Sequence, residues 1–406
     1  MLRQLENRFS INVAGLKRSV IRELLKLTQR PEIISFAGGL PSPETFPVEE
    51  VAEIAHEVVL QDGAWSLQYG PTEGDPRLKE EIIRWMARDG IHVTADNILI
   101  TTASQQGLDI VGRVFINRHN PVMTARPSYV GAISAFRSYM ARFVGIDLDD
   151  EGIRVDLVRD KLAEMRLAAE LPRFIYVVPD FQNPAGVTMS LERRKALLAL
   201  AREYQVLIVE DTPYRSLRYT GKTLPSLYEM DQGEGYVISL RTFSKILFPG
   251  LRLGYIMAKT EFIDKFVIAK QGMDLCTPPF TQAIAYEYLH RDLLEDHIKS
   301  NIAIYAKKRE IMMQALEDTM PKHPDLCWTR PEGGLFLWLK MPEKVDTEIM
   351  FKEAVEENVA YVVGTGFYPD GGGKHAMRLN FSYPSESDIV EGVKRLARVI
   401  ERNLGR

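Results

Sequence analysis

The chain has few of the residues that disulfide scaffolds, nucleic-acid binding and membrane insertion require. Its two cysteines, Cys276 and Cys327, cannot build a disulfide framework, and no CxxC pair occurs. Its 51 basic and 55 acidic residues give a net charge of −4 without a long basic run, which argues against a nucleic-acid partner. No run approaches about 18 apolar residues, and residues 1–8 lack the apolar core of a signal peptide. Together these absences favour a cytoplasmic protein.

Motifs of several other enzyme classes are absent as well. Residues 221–223 resemble the end of a P-loop, but Ser216 stands where that loop needs its first glycine. Residues 364–366 begin a dinucleotide fingerprint that fails at Pro369. The seven histidines are scattered without an HExxH motif, and no GxSxG elbow occurs. We therefore expect neither a bound metal nor Ser-His-Asp chemistry.

The middle of the chain alternates strand-like and helical patterns. Several of the strand-like runs are apolar without alternation, which is typical of a parallel sheet covered on both faces. The pattern predicts an α/β fold whose mostly parallel sheet is flanked by helices. The seven predicted strands cover residues 97–102, 121–125, 142–146, 174–178, 206–210, 236–240 and 254–258, with helices between most of them at about 104–117, 128–140, 156–168 and 190–204.

The two ends of the chain lack the regular strand–helix alternation of the middle part. Helical periods cover residues 13–29, 48–60 and 76–88, the last with Asp75 as N-cap. After residue 290 the pattern is that of a smaller α+β region, with strands at 336–339 and 377–381 and a final helix at 386–403. We predict an N-terminal arm over residues 1–50, a large domain over 51–290 and a small domain over 291–406.

Polar residues follow the ends of four predicted strands. A single lysine or aspartate of this kind has an ordinary explanation, because most lysines are exposed and Asp and Asn favour caps and turns. Four such sets at the carboxyl edge of one parallel sheet instead predict a shared ligand site. The sets are Ser104 and Gln105; Asn183; Asp211 and Tyr214; and Lys245 with Thr242, Ser244 and Arg252.

These residue types suit a phosphate-bearing aldehyde, pyridoxal 5′-phosphate. The amine of Lys245 can form a Schiff base with the aldehyde, and the carboxylate of Asp211 can keep the pyridine nitrogen protonated. Asn183 and Tyr214 can donate hydrogen bonds to the phenolic oxygen of the cofactor. The phosphate needs N–H groups at a helix start together with hydroxyls and a guanidinium. Those groups are available from Ser104, Gln105, Thr242, Ser244 and Arg252.

The ordered motifs resemble those of the class I/II aminotransferases of PLP fold type I. Within that family they are most similar to the 2-aminoadipate/kynurenine aminotransferase-like branch, which includes the LysN-type enzymes. The resemblance extends from about residue 15 to 400. It is carried by residues 182–186 (QNPAG), 210–214 (EDTPY) and 242–252 (TFSKILFPGLR), and further by residues 21–25, 35–41, 67–74 and 331–338.

The resemblance implies roles for further residues. Lys245 carries the cofactor and afterwards shuttles the substrate proton, and Tyr129 stacks on the pyridine ring. Tyr69 reaches the phosphate held by the neighbouring subunit, which implies a homodimer with shared sites. Arg378 holds the substrate α-carboxylate, with Asn183 beside it. Gly39 lets the main chain approach the substrate, and Arg22 lies on a lid formed by residues 13–29.

The implied activity is transfer of an amino group from an L-amino acid to a 2-oxo acid such as 2-oxoglutarate. Aminoadipate, aromatic, kynurenine-type and branched-chain donors are all compatible with the branch. One alternative is a PLP-dependent lyase or decarboxylase on the same scaffold, and another is a regulatory PLP-binding module of the MocR type. Arg126 stands where the family usually has an acidic residue, and the sequence assigns it no function.

Overall fold

A computed structural model describes residues 8–14 and 32–405. The predicted lid helix, including Arg22, lies outside these residues except for its first two positions. In chain order the strands are β1 (Ile34–Ser35), β2 (Ile98–Thr101), β3 (Pro121–Arg126), β4 (Arg142–Asp149), β5 (Gly152–Ile153), β6 (Phe174–Val177), β7 (Leu207–Asp211), β8 (Val237–Thr242), β9 (Gly254–Met257), β10 (Cys327–Trp328), β11 (Phe336–Lys340), β12 (Val359–Ala360), β13 (Val362–Val363) and β14 (Ala376–Asn380).

The α-helices of the described residues follow the predicted pattern closely. Asp75 caps its helix as predicted, since its carboxylate accepts a hydrogen bond from the backbone of Arg77 at 2.9 Å. The helices are α1 (Ile11–Ala14), α2 (Val48–Gln61), α3 (Gly63–Ser66), α4 (Pro76–Arg88), α5 (Ala103–Phe115), α6 (Val130–Ser138), α7 (Val155–Leu167), α8 (Leu191–Tyr204), α9 (Leu227–Asp231), α10 (Thr260–Gln271), α11 (Pro279–His290), α12 (Leu293–Thr319), α13 (Thr347–Glu356) and α14 (Glu386–Leu404).

The large sheet has the order β2-β9-β8-β7-β6-β3-β4-β5. All seven predicted strands are present, and β3, β4, β6, β7 and β8 run parallel to one another. The predicted count of seven is one too low, because β5 adds a two-residue strand antiparallel to β4. A strand of two residues has no period that a sequence pattern can reveal.

Helices cover both faces of this sheet, which explains its continuous apolar strands. On β7, Ile208 packs into a cluster with Leu197 of α8, whereas the next residue, Val209, packs into a cluster with Leu108 of α5. Because successive side chains of a strand point to opposite faces, both positions must be apolar. The helices α3, α9 and α10 were not predicted, although Ile263 and Phe266 of α10 are buried at helical spacing.

The smaller region is built on an antiparallel sheet with the order β10-β11-β14-β13. The N-terminal strand β1 joins this part of the protein by pairing in parallel with β12. The backbone of Asn380 then donates to the carbonyl of Phe36 at 2.9 Å. These contacts hold the Gly38–Gly39 loop beside β14, the strand that carries Arg378. None of the helices in the described ranges has the length and apolar character needed to cross a membrane.

Candidate active site

Lys245 lies three residues after the end of β8 and is half-buried. Its Nζ donates a hydrogen bond to the carbonyl oxygen of Gly39 at 2.7 Å. Burial, and to a smaller extent the nearby positive charges of Arg378 and Arg252, lower the pKa of this amine to about 8. A lysine in such surroundings is neutral much more often than a surface lysine, which makes its amine a nucleophile and a base near neutral pH.

Asp211 ends β7, the strand next to β8, and is 2% exposed. Its Oδ2 accepts a hydrogen bond from the hydroxyl of Tyr176 at 2.9 Å, while its Oδ1 is buried without a hydrogen-bond partner among the described residues. The pKa of this carboxyl is raised to about 7, because burial and the charge of Glu210 raise it by more than the hydrogen bond from Tyr176 lowers it. A buried carboxylate oxygen without a donor suits the N–H group of a bound pyridine ring.

Arg378 connects the small sheet to the site of Lys245. Its Nη1 donates to Asn183 Oδ1 at 3.0 Å, and the amide of Asn183 in turn donates to the hydroxyl of Tyr214 at 3.3 Å. Its Nη2 donates to the carbonyl of Ala37 at 2.9 Å, while its Nε is buried without a partner among the described residues. The guanidinium lies over the ring of Phe336, 4.2 Å from the centroid, and burial lowers its pKa to about 10. A buried cation of this kind is stabilised by an anionic ligand.

The residues predicted to hold a phosphate surround the start of α5 and the loop after β8. Ser104 lies in the first turn of α5, and its Oγ is buried without a partner in the described part of the chain. The hydroxyl of Thr242 contacts Ser244 Oγ at 2.9 Å and the Leu253 carbonyl at 3.2 Å. Arg252 is exposed, with a φ of 49° and its Nη1 bonded to the Pro249 carbonyl at 3.3 Å. The Ser104 hydroxyl thus keeps its hydrogen-bonding capacity for a ligand, whereas the Thr242 hydroxyl also holds its own loop.

Tyr129 directly precedes α6 and lies near the buried tyrosines of the site. Its phenol contributes to the raised pKa of both Tyr176 and Tyr214, for which burial is the larger cause. Gln105, from the first turn of α5, donates to the carbonyl of Gly131 at 3.2 Å and so ties α5 to the start of α6. The stretch that carries Tyr129 is therefore attached to the helix that carries Ser104.

Among the described residues, the side chain of Tyr69 forms no hydrogen bond with the groups around Lys245. The side chain of Tyr69 is 80% exposed, and its backbone N–H donates to Gln68 Oε1 at 2.9 Å. Arg22 lies outside the described residues. Hydrogen bonds, one close approach and an electrostatic interaction link Lys245 in turn to Gly39, Arg378, Asn183, Tyr214 and Asp211.

The sequence-based prediction missed three side chains of this site: Tyr176, Phe336 and Phe367. Tyr176 carries the hydroxyl that bonds Asp211, and the two phenylalanines lie beneath the guanidinium of Arg378 at 4.2 and 5.3 Å. The one available signal for Tyr176 was a hydroxyl inside an otherwise apolar strand. Neither phenylalanine differs from an ordinary core residue in its sequence context.

Arg126, which the sequence left without a function, pairs with Asp147 at 2.5 Å and with Asp370 at 3.4 Å. Asp370 follows the stretch that carries Phe367, and the backbone of Ser128 donates to the Phe367 carbonyl at 2.7 Å. These contacts attach the turn before Tyr129 to the segment of residues 367–370, whose Phe367 lies beside Arg378.

The arrangement fits pyridoxal phosphate. A lysine amine of lowered pKa lies in one site with an unpartnered buried carboxylate oxygen, an unpartnered serine hydroxyl and an amide–phenol pair. These groups match the aldehyde, the ring nitrogen, the phosphate and the phenolic oxygen of that molecule. Among the described residues, no group of three or more His, Cys, Asp or Glu could hold a metal ion.

Comparison with known proteins identifies the family. Residues 31–396 match the family model of aminotransferase class I and II. Aromatic-amino-acid aminotransferase 1 of Thermococcus litoralis is 47% identical over 400 residues, which cover 98% of this chain and 95% of that protein. The crystal structure of Pyrococcus horikoshii kynurenine aminotransferase in complex with PMP has a TM-score of 0.95 and 44% identity, with 100% of this chain and 99% of that chain covered.

A third relative is LysN, the alpha-aminoadipate aminotransferase of Thermus thermophilus, whose crystal structure holds N-(5′-phosphopyridoxyl)-L-leucine. It has a TM-score of 0.90 and 39% identity, with 98% of both chains covered. The fold, the matched family and the phosphopyridoxyl ligands of these relatives agree with the donor set around Lys245. The chain therefore belongs to the class I and II aminotransferases, and its cofactor is pyridoxal 5′-phosphate.

Proposed function

We propose that this aminotransferase takes aromatic, kynurenine-type, aminoadipate-type or branched-chain L-amino acids as donors and 2-oxoglutarate as acceptor. The proposal is supported by the names of its relatives, an aromatic-amino-acid, a kynurenine and an alpha-aminoadipate aminotransferase, and by the leucine adduct held by the last of them. The observation that carries the assignment of roles is the half-buried amine of Lys245, which shares one site with Asp211, Asn183 and Arg378.

When bound, the cofactor supplies an electron sink for the electron pair that remains when the substrate Cα loses its proton. Asp211 would hold the ring nitrogen, and Asn183 with Tyr214 would donate to the phenolic oxygen. The phosphate would be held by Ser104, Gln105, Thr242, Ser244 and Arg252, with Tyr129 stacked on the ring. The unpartnered buried atoms Asp211 Oδ1 and Ser104 Oγ support the proposal most directly.

Arg378 would bind the α-carboxylate of the substrate, because a planar guanidinium matches the two carboxylate oxygens. The Oδ1 of Asn183 already accepts a hydrogen bond from Nη1 of Arg378 and would orient the guanidinium. A Cβ on Gly39 would lie 3.8 Å from Arg378 Nη2 and 3.5 Å from the ring of Phe336, so a side chain at position 39 would occupy the space beside the guanidinium. Arg22 would close over this space from the proposed lid helix.

Lys245 would move the proton between the substrate Cα and the cofactor. Its pKa of about 8 places the amine near the working range of a general base at neutral pH. The hydrogen bond from Nζ to the Gly39 carbonyl fixes the amine in the site. Lys245 is thus the residue on which both cofactor attachment and turnover depend.

Replacing this amine tests the assignment directly. Lys245→Ala is expected to abolish the visible absorption of the lysine-bound cofactor and to lower transamination by at least about 100-fold, the scale of removing a general base. Absorbance spectra and a glutamate half-reaction measure both quantities, and Lys245→Arg serves as the conservative comparison. Wild-type turnover by Lys245→Ala would contradict the proposed role, and release of ammonia without an oxo-acid acceptor would indicate a lyase instead.

We also propose that the active unit is a homodimer in which Tyr69 reaches the cofactor phosphate of the partner subunit. The 80% exposure of Tyr69 and the 68% exposure of Leu67 in the single chain support this, since exposed apolar side chains often mark interfaces. Mixing Lys245→Ala and Tyr69→Phe subunits makes hybrids in which one site retains both residues. Activity above that of either variant alone is expected, and strictly additive activity would contradict the shared site.

The remaining proposals concern organisation and location. We propose the boundaries 1–50, 51–290 and 291–406, with the N-terminal arm attached to the small domain, and the pairing of β1 with β12 supports that attachment. A cytoplasmic location and a role in amino-acid biosynthesis are proposed from the low cysteine content and from the family. The lyase and regulatory alternatives are not favoured, because relatives at 47% and 42% identity over nearly the full chain are named as transaminases.

A further inference from the structure

We propose that Tyr176 is a positioning residue that fixes the Asp211 carboxylate, so that Oδ1 faces the ring nitrogen of the cofactor. The inference rests on the proposed contact between Asp211 and that nitrogen. Tyr176 lies on β6, where it pairs in register with Val209 of β7. Because side chains two positions apart on a strand share a face, Tyr176 and Asp211 lie on the same side of the sheet.

The hydrogen bond between these residues is well defined. The Tyr176 hydroxyl donates to Asp211 Oδ2 at 2.9 Å, and both side chains are at most 2% exposed. Within residues 8–14 and 32–405, no other side chain or backbone group donates to this carboxylate. With Oδ2 occupied, Oδ1 is the acceptor that remains for a ligand.

The ring of Tyr176 is itself held in place. It packs edge-to-face against Phe136 of α6, with the ring centroids 5.7 Å apart. Since α6 begins directly after Tyr129, one packed aromatic contact links the proposed stacking residue to the hydroxyl that orients Asp211. Phenylalanine at position 176 would preserve this packing and remove the hydroxyl alone.

The hydroxyl also favours the charged form of the carboxylate. Burial makes a charge at Asp211 costly, and the bond from Tyr176 offsets part of that cost. Without the hydroxyl, the carboxylate would take up a proton more readily and would be free to rotate about its Cβ–Cγ bond. Both changes weaken its attraction for a protonated ring nitrogen, and neither affects the phosphate contacts.

Binding of pyridoxamine 5′-phosphate to the cofactor-free protein tests this without turnover and without Schiff-base formation by Lys245. Tyr176→Phe is expected to weaken binding at pH 8 by about tenfold, the scale of a hydrogen bond to a charged group. The deaza analogue, in which carbon replaces the ring nitrogen, is expected to bind Tyr176→Phe and the unsubstituted protein equally well. Titration calorimetry measures both affinities.

Tyr255→Phe is the matched control, because Tyr255 is a buried tyrosine of the same sheet whose hydroxyl contacts only the sulfur of Met86, at 3.7 Å, in the described structure. It is expected to change neither affinity more than twofold. Equal losses for both ligands in Tyr176→Phe would show a merely structural role and overturn the proposal, as would no loss for either. Tyr176→Met repeats the test if the phenylalanine variant does not fold. The Lys245→Ala experiment tests the proposed function separately, so failure of this proposal can be told apart from failure of the proposed function.

Discussion

Two buried carboxylates, Asp180 and Asp211, lie in the same domain but have opposite surroundings. Asp180 is 1% exposed and accepts from Arg194 at 2.7 Å and from Arg215 at 3.4 Å. Burial alone would raise its pKa, but the charges of the two guanidinium groups outweigh burial and lower it. The protein itself therefore supplies the cations that this carboxylate needs.

Asp211 has no such cation within ion-pair distance in the described residues, and burial raises its pKa to about 7. Only a tyrosine hydroxyl offsets the cost of its charge. A buried ion pair that the protein completes by itself supports the fold, whereas a buried carboxylate that it leaves incomplete is suited to a ligand. This difference separates a structural acid from one that we assign to the cofactor.

The largest expected effect is on stability, in the Asp180 cluster. Arg194→Met removes a guanidinium that also donates to the carbonyls of Met189, Pro179 and Pro225. Because breaking a buried pair leaves a buried charge, we expect a loss of about 3–5 kcal/mol, seen as a lower thermal unfolding midpoint.

Arg202→Met, on the same helix, is the control. Arg202 pairs with Glu234 at 2.7 Å with both side chains well exposed, so its loss should cost no more than about 1 kcal/mol. Equal destabilisation by the two variants would remove the distinction between a buried and an exposed pair.

The next effect is on activity, at the other carboxylate. Asp211→Asn retains the size of the side chain but cannot carry the charge that keeps a ring nitrogen protonated. We expect transamination to fall at least about 100-fold, or about 2.7 kcal/mol in the barrier, measured as kcat/KM with glutamate.

Asp180→Asn is the informative counterpart, since it is expected to lower the unfolding midpoint of the cofactor-free protein. Asp211→Asn is expected to leave that midpoint unchanged or higher at pH 8. If Asp211→Asn were the more strongly destabilised of the two, Asp211 would be a structural acid as well.

A third effect concerns pH. The pKa of Asp211 is raised on folding from 3.8 to about 7, so between these values the folded cofactor-free protein binds more protons than the unfolded chain. Its contribution to stability is therefore fully present below about pH 4 and is lost as pH rises through 7, with a slope of at most about 1.4 kcal/mol per pH unit.

Asp180 contributes in the opposite direction, because its lowered pKa favours the folded state above its unfolded value and that contribution is lost as pH falls. Unfolding midpoints are measured from pH 4 to 8 for the unsubstituted and Asp211→Asn proteins. The difference between the two pH profiles gives the contribution of Asp211 to the pH dependence of stability. Identical pH profiles would show that Asp211 does not take up a proton on folding.

Much of the fold followed from apolar periodicity. All seven predicted strands form; those in the middle of the sheet are apolar enough to be covered on both faces, whereas β4 keeps several exposed residues. The eighth strand, β5, is too short to carry a pattern, and α10 was not predicted despite buried residues at helical spacing. The observed N-cap bond of Asp75 depends only on a residue two positions away, which explains why the sequence predicts it well.

Within the site, the predictable residues were those in ordered motifs at strand ends. Tyr176 was missed because its partner is 35 positions away, and no local pattern relates a hydroxyl in one strand to a carboxylate in the next. The contacts of Arg378 with Asn183 and Ala37 join positions 195 and 341 residues apart. For Tyr69 the obstacle is different, since its proposed role requires a partner subunit.

By itself, the sequence determined which chemical groups are present and in what order: a lysine, an aspartate, an asparagine and two arginines among apolar strands. That was enough to identify the cofactor and the family by resemblance. The tertiary structure decided the chemical state of those groups. Whether a carboxylate titrates near 3.8 or near 7 depends on its burial and on the charges a few ångströms away, and only the folded chain brings those neighbours together.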